Sequence, residues 1–217
     1  MRIFHGSEVI IKKPSLELGK INNDFGRGFY CTDDIEKAKE WACKNNKSGI
    51  ANIYELDIEK LRILDLTKDN YNVLNWISIL LSNRTFSIDN QLSLKAKEYL
   101  IKNYYIDIKN YDVVIGYRAD DSYFSYAQSF INNSLSLETL EKAMKLGNLG
   151  KQIVLVSNKA FRKIKYIDNL VVDRNEYYVK YKVNDLSARQ KYKNMKSSEN
   201  ETYMIDIIRR GVGNGSI

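Results

Sequence analysis

The sequence predicts an α+β fold in one large domain. Three observations carry that reading. Runs with strand character alternate irregularly with helically spaced apolar residues, without the strict β-α-β-α rhythm of a doubly wound parallel sheet. No internal repeat, proline-rich linker or low-complexity block divides the chain. A chain of 217 residues with 44% hydrophobic and 28% charged residues, at a mean hydropathy of -0.44, also has apolar surface enough to offset the entropy of ordering one core.

Taken in order, Arg2–His5 reads as a short strand and Gly28–Thr32 as a second, entered through two glycines that flank Arg27. Asp33 or Asp34 then caps a helix whose Ile35, Ala38, Trp41 and Ala42 share one face at intervals of three and four. Strands follow at Ile50–Asp57 and Arg62–Leu66, and another at Asp112–Gly116. Tyr123, Phe124, Ala127, Phe130 and Ile131 have helical spacing, as do Leu137, Leu140, Ala143 and Met144, with Gly147 as the stop. The remaining strands are Gln152–Ser157, Lys165–Val172 and Glu176–Val183. In the last, Tyr177, Val179, Tyr181 and Val183 alternate with Tyr178, Lys180 and Lys182, as in a strand with one wet face. Tyr203–Ile208 is apolar enough to dock as a short helix. The domain is therefore expected to span residues 1–186, followed by a basic, partly flexible C-terminal segment, 187–217, that ends in the glycine-rich Gly211–Ser216.

Several function classes drop out. The longest nearly apolar run, Trp76–Leu81 inside Val73–Leu81, is far short of the roughly 18 residues that cross a bilayer. Met1–Ser7 is interrupted by His5-Gly6-Ser7 and does not read as a signal peptide. No GxGxxG or GxxxxGK[ST] string occurs, so neither a Rossmann dinucleotide site nor a P-loop is supported. Cys31 and Cys43 lack metal spacing and read as reduced thiols in a cytoplasmic protein. With one histidine, a zinc site is short of donors and a Ser-His-Asp triad would have to use His5. The 34 Lys and Arg against 27 Asp and Glu give +7, a balance that attracts phosphate-rich partners and that also suits an ordinary solvated surface.

Two segments stand out chemically. His5 lies where the first strand runs into Gly6-Ser7; it can be a strand-end histidine satisfied by local hydrogen bonds, or a ligand-binding imidazole. Asn23-Asp24-Phe25-Gly26-Arg27-Gly28-Phe29-Tyr30-Cys31-Thr32 can be a turn leading into a core strand. Its glycines would equally let a ligand approach the backbone, with one of Phe29 and Tyr30 in the core and the other facing a cleft. Arg27 and Arg118 have the geometry to grip a pyrophosphate. Asp120-Asp121, ahead of a helix, can cap it or supply a carboxylate.

The order of these segments resembles a bacterial family of unknown-function proteins assigned to the ADP-ribosyltransferase superfamily. The resemblance rests on His5-Gly6-Ser7, on Asp24–Thr32 with the helix carrying Ala38 and Trp41-Ala42, on Trp76-Ile77 through Asn83-Arg84, on Tyr111–Gly116 with Ala119-Asp120-Asp121, and on Lys151–Ser157. It covers most of residues 2–170 and implies a split β-sheet core with surrounding helices. It also implies an NAD-dependent mono-ADP-ribosyltransferase, a toxin of a toxin–antitoxin pair with a small antitoxin protein as partner. In the His-Tyr-Glu branch of that superfamily, His5 would bind NAD ribose and the backbone of Gly6 the nicotinamide carboxamide. Tyr30 would stack on the nicotinamide. Ser7, Arg27, Gly28 and Asp121 complete the implied cofactor-binding set. The chain departs from the branch at Gln152, which stands where the catalytic glutamate belongs. A glutamine can hold a ribose hydroxyl but brings no negative charge and no general base. A catalytically inactive nucleotide- or nucleic-acid-binding module of the same fold is the alternative expectation, and a ribonuclease-type toxin using His5 is a third.

Overall fold

The computed structural model describes residues 1–119, 121–146, 151–194 and 201–211. Two sheets form its centre. One is antiparallel, with β1 (Arg2–Ser7), β3 (Gly49–Leu56) and β7 (Ile164–Val172) side by side. The other runs β2 (Phe29–Cys31), β6 (Lys151–Leu155), β5 (Val113–Tyr117), β4 (Ile63–Asp65), with only β4 and β5 parallel. These strands lie within two residues of the bounds expected from the sequence. Among the described residues a single bridge joins the sheets: Phe4 N–H donates to Thr32 O at 2.8 Å and Thr32 N–H donates back to Phe4 O at 2.9 Å.

The helices sort by what their apolar faces cover. α1 (Ile35–Ala42) is capped by Asp34, whose Oδ1 accepts from Glu36 N–H at 2.9 Å, and it lies across β1 and β3. α2 (Val73–Asn83) is buried on every side from Val73 to Leu81, so it shows no polar face and its sequence no helical periodicity. Asn72 and Asn75 close its first turn by reciprocal hydrogen bonds. α3 (Gln91–Tyr104) packs against α2 through Ala96, Leu100 and Tyr104, one turn apart. α4 (Asp121–Ile131), α5 (Leu137–Leu146) and α8 (Met204–Arg210) complete the main core over one face of the second sheet. The one-turn α6 (Asn158–Phe161) and α7 (Arg174–Lys193) flank β7. A second core, containing Ile3, Phe29, Tyr54, Ile153 and Leu155, fills the space between the sheets.

One predicted element is wrong. Residues Glu176–Val183 are not a strand but two turns of α7, a helix that runs unbroken through position 186. The reason is visible in its contacts. Tyr177 is buried and its hydroxyl donates to Glu36 Oε2 at 3.0 Å, while Asn184 Nδ2 donates to Glu40 Oε1 at 3.0 Å. Residues 177 and 184 are two turns apart on a helix, so one face meets α1. Val179 and Val183, which a strand would have buried beside Tyr177, are exposed. Asp173 caps the start, its Oδ1 accepting from Asn175 N–H at 2.9 Å. The expected helix at Tyr203–Ile208 is α8, Met204–Arg210, with the extended Tyr203 as its N-cap and Gly211 in the left-handed region (φ 61°) at its end. The expected stop at Gly147 and the glycines after Gly211 lie outside the described residues.

Among the described residues no helix is long and apolar enough to cross a membrane. Cys31 and Cys43 are both free and buried.

Candidate functional site

Beyond the Phe4–Thr32 bridge β2 pairs with β6 and not with β1, and a cleft of ≈ 700 Å³ opens there between the ends of the two sheets, α1 and the loop 8–28. His5, Gly6, Gly28, Tyr30 and Gln152, which the sequence offered from three distant segments, all line it, as does Arg118.

Each is held by local structure. His5 is fixed from two sides: its ring stacks on Phe29 (centroids 4.4 Å apart, planes at 28°), and Nδ1 lies 2.6 Å from the carbonyl oxygen of Tyr30. A carbonyl only accepts, so Nδ1 carries the proton and Nε2 of the neutral ring presents a lone pair. Burial lowers the pKa of His5 below its ordinary value, and the bond to Tyr30 opposes that shift in part.

Gly6 is required by packing and useful for binding. A Cβ there would fall 2.1 Å from Ala38 O and 2.6 Å from Ala42 N, so only glycine lets α1 lie this close to β1. Phe4 turns its N–H and C=O toward β2. Gly6 has the same parity and points its own pair that way, toward Tyr30 of β2, with which it forms no ladder bond among the described residues.

Tyr30 places its ring against the cleft and its hydroxyl inside the protein. The hydroxyl donates to Gly26 O at 2.7 Å and accepts from Phe25 N–H at 3.0 Å, closing the turn in which Gly26 takes φ +66°. Burial drives its pKa far upward, so the phenol stays neutral.

Gln152 lies opposite Gly116 on β5 and is buried at 5% exposure, yet its Oε1 makes no hydrogen bond among the described residues. An orphaned buried acceptor costs about 1–3 kcal/mol, and this one belongs to a residue that lines the cleft. It points to a partner supplied by a ligand.

The remaining residues of the implied set are placed differently. Ser7 is absent from the cleft lining: its hydroxyl donates to Val9 O at 2.6 Å and accepts from the buried Asn52, which also takes Ile11 N–H at 2.9 Å. Ser7 thus anchors the start of the loop 8–28. Arg27 is exposed and does not line the cleft either, because Gly28, whose neighbours Val154 and Leu155 leave no room for a Cβ, turns the chain inward after it. Asp120 and the side chain of Asp121 lie outside the described residues.

Sequence reasoning did not assign a role to the pair that braces the floor. Asp24 is buried, with Oδ1 2.8 Å from Arg84 Nη1 and Oδ2 accepting from Ala119 N–H at 2.9 Å; Arg84 also donates to Ala119 O at 3.0 Å and lies over the Phe124 ring. Burial raises the pKa of Asp24, and Arg84 works against it. Sixty residues separate the two, and no local pattern announces them. Arg118 rests over the indole of Trp41, 4.4 Å from its centre, which turns the helix face read from the sequence into a wall of the cleft. Among the described residues the lining carries five cations, Lys20, Lys44, Arg84, Arg118 and Lys182, against the one carboxylate of Asp24. No group of three or more His, Cys, Asp or Glu among the described residues could hold a metal ion.

The cleft can therefore accept a hydrogen bond at Nε2 of His5, offer the backbone of Gly6, present the Tyr30 ring beside the unsatisfied carboxamide of Gln152, and attract negative charge. No curated protein and no solved structure matches the chain. Residues 1–166 match the model of DUF3990, described as a protein family of unknown function, and the chain belongs to that family.

Proposed function

We propose that the cleft binds NAD and that the protein is a mono-ADP-ribosyltransferase. The observation that carries the reading is the buried, unpartnered Oε1 of Gln152 in a cationic cleft that His5, Gly6 and Tyr30 also line. The resemblance to the ADP-ribosyltransferase superfamily assigns those same four positions to one dinucleotide.

In this reading Nε2 of His5 and Oε1 of Gln152 accept hydrogen bonds from ribose hydroxyls. The N–H and C=O of Gly6 match the acceptor and donor of a carboxamide, and the Tyr30 ring covers the nicotinamide. Arg118 faces the pyrophosphate. The bond from C1′ to the nicotinamide nitrogen breaks with its electron pair leaving on nicotinamide; the acceptor's nucleophile bonds C1′ and its proton passes to water. Gln152 cannot take that proton. What the protein supplies is orientation, worth several kcal/mol of barrier in well-aligned reactions, roughly 7–11 at best, and shelter of the leaving group. A toxin held in check by a small antitoxin protein is the biological setting that the resemblance suggests.

One observation favours a second reading, a nucleotide-binding module without catalysis. The carboxylate that lines the cleft, Asp24, is engaged by Arg84 and Ala119, and Gln152 carries no charge. Incubation with NAD labelled in its adenylate half, with and without lysate, separates the two. Transfer of label with release of nicotinamide supports the transferase, and its loss in the His5→Ala, Tyr30→Ala double variant supports the site. Saturable binding without nicotinamide release supports the module.

A further inference from the structure

The loop 8–28 has an outer face that the cleft does not use. It is anchored at both ends: Ile11 N–H donates to Asn52 Oδ1 at 2.9 Å and the Tyr54 hydroxyl donates to Ile11 O at 2.6 Å, while the Tyr30 hydroxyl closes the turn at Gly26. Between these anchors Gly19 N–H donates to Leu16 O at 3.1 Å and closes a single 3-10 turn, Leu16–Leu18, with no buried residue. The two limbs of the loop then touch. A Cβ on Gly19 would fall 2.8 Å from Gly28 O and 3.2 Å from Arg27 Cγ, and one on Gly26 would fall 3.7 Å from Ile21 O. These contacts gather Leu18, Lys20, Ile21 and Arg27 in one stretch of surface, and Arg27 is the cation that the fold turns out of the cleft. Leu18 is 82% exposed and Ile21 63%. Lys20 and Arg27 are exposed as well and make no ion pair among the described residues. Two large aliphatic side chains held in the open beside two cations have the composition of a protein-docking patch, where apolar anchors carry the affinity and charges select the partner.

We propose that this face docks an acidic segment of another protein, whose apolar side chains pack on Leu18 and Ile21 and whose carboxylates meet Lys20 and Arg27. The docking stands apart from the NAD reading. Leu18 and Lys20 also line the cleft, so a segment seated on them covers its mouth whatever the cleft binds. Charge and side-chain type select the occupant. A second copy brings the same +7 and the same cations to the interface. A nucleic-acid strand stacks its bases on aromatic rings, whereas both apolar side chains here are aliphatic. Because the loop is already tied down at both ends and across its limbs, little ordering opposes the association.

The test pans a phage-displayed library of random peptides against the full chain. Peptides enriched on the parent should combine Asp or Glu with Leu, Ile, Phe or Trp. Synthesised with a fluorescein label and followed by anisotropy, the most enriched of them should lose about tenfold or more in affinity for the Leu18→Ser, Ile21→Ser variant and for the Lys20→Glu, Arg27→Glu variant. Panning on the Lys20→Glu, Arg27→Glu variant should exchange the acidic residues for Lys or Arg, a switch that an unfolded variant cannot show. A control variant, Lys95→Glu with Lys102→Glu on α3, neither of which lines the cleft, should stay within about twofold of the parent. The absence of an acidic, apolar consensus, or equal losses in the control and loop variants, would overturn the proposal. Either rival occupant would do the same. Co-sedimentation of the parent with phosphatidylcholine–phosphatidylserine vesicles, lost in the Leu18→Ser, Ile21→Ser variant, assigns the face to a lipid surface. A dimer in analytical ultracentrifugation that the same variant dissolves assigns it to a second copy.

Discussion

The imidazole of His5 donates from Nδ1 to the main-chain oxygen of Tyr30 at 2.6 Å, so the first strand's only titratable ring is set by the backbone of the second. That bond fixes the tautomer and leaves Nε2 as an acceptor. Because the sequence holds one histidine, the consequence can be read directly: the imidazole signals in proton NMR should titrate with an apparent pKa below 6.5, owing to burial. A value above 6.5 would show a ring more solvated than this one.

The same shift has a sign in stability. A histidine whose pKa is lower folded than unfolded binds fewer protons in the native state, so its contribution is complete above the unfolded value near 6.5 and is lost as pH falls through the folded value. Denaturation midpoints for the parent and for His5→Asn should therefore converge as pH drops from about 8 to about 5. A constant gap over that window would remove the histidine from the pH dependence.

Gln152 offers the sharpest separation of function from stability. Replacing it by leucine deletes a buried acceptor that has no partner and keeps the bulk. Gln152→Leu should hold or raise stability, by about 1 kcal/mol, while weakening dinucleotide binding about tenfold or more, the worth of one hydrogen bond to a ribose hydroxyl. A destabilised variant with unchanged binding would mean that the carboxamide serves the fold.

Tyr30 divides the same way between hydroxyl and ring. Tyr30→Phe strands Phe25 N–H and Gly26 O and should cost about 1–3 kcal/mol. Binding in the cleft should survive it and be lost in Tyr30→Ala. Thermal melts paired with calorimetric titration of NAD check both halves.

Arg84 braces the floor from a distance. Arg84→Ala removes the guanidinium that pairs directly with the buried Asp24 and leaves it only the Ala119 N–H and the more distant charge of Arg118; truncating one partner of a buried pair costs about 3–5 kcal/mol. Because Arg84 itself is partly exposed, the low end of that range is expected in urea unfolding. An Asp24→Ala, Arg84→Ala double variant should recover part of the loss.

How much of this was readable depends on the range of the signal. The strands from β1 to β7 declare themselves through short β-branched and aromatic runs, and α1 through its cap at Asp34 and its three-four spacing. α2 was hidden because a helix enclosed on all sides has no polar stripe to reveal a period. α7 misled because tyrosines and valines alternating with lysines satisfy a two-residue period as well as a helical one, and only Glu36 and Glu40 on α1 decide the matter, through Tyr177 and Asn184. In the cleft, His5, Gly6, Gly28, Tyr30 and Gln152 sit in local motifs and were named from the sequence. Ser7 and Arg27 share those motifs but are turned away by Asn52 and by the packing at Gly28. The Asp24–Arg84 brace and the cationic lining arise from chain segments that meet only in three dimensions, so no window of sequence contains them.

The most direct test of the central claim again uses the lone histidine. NAD titrated into the protein at pH 7.5 should shift the His5 imidazole resonances saturably, and Gln152→Leu should move the midpoint to higher concentration while leaving the unliganded signal in place. Imidazole resonances that stay fixed at every NAD concentration, in a protein shown to be folded, would contradict a dinucleotide site in this cleft.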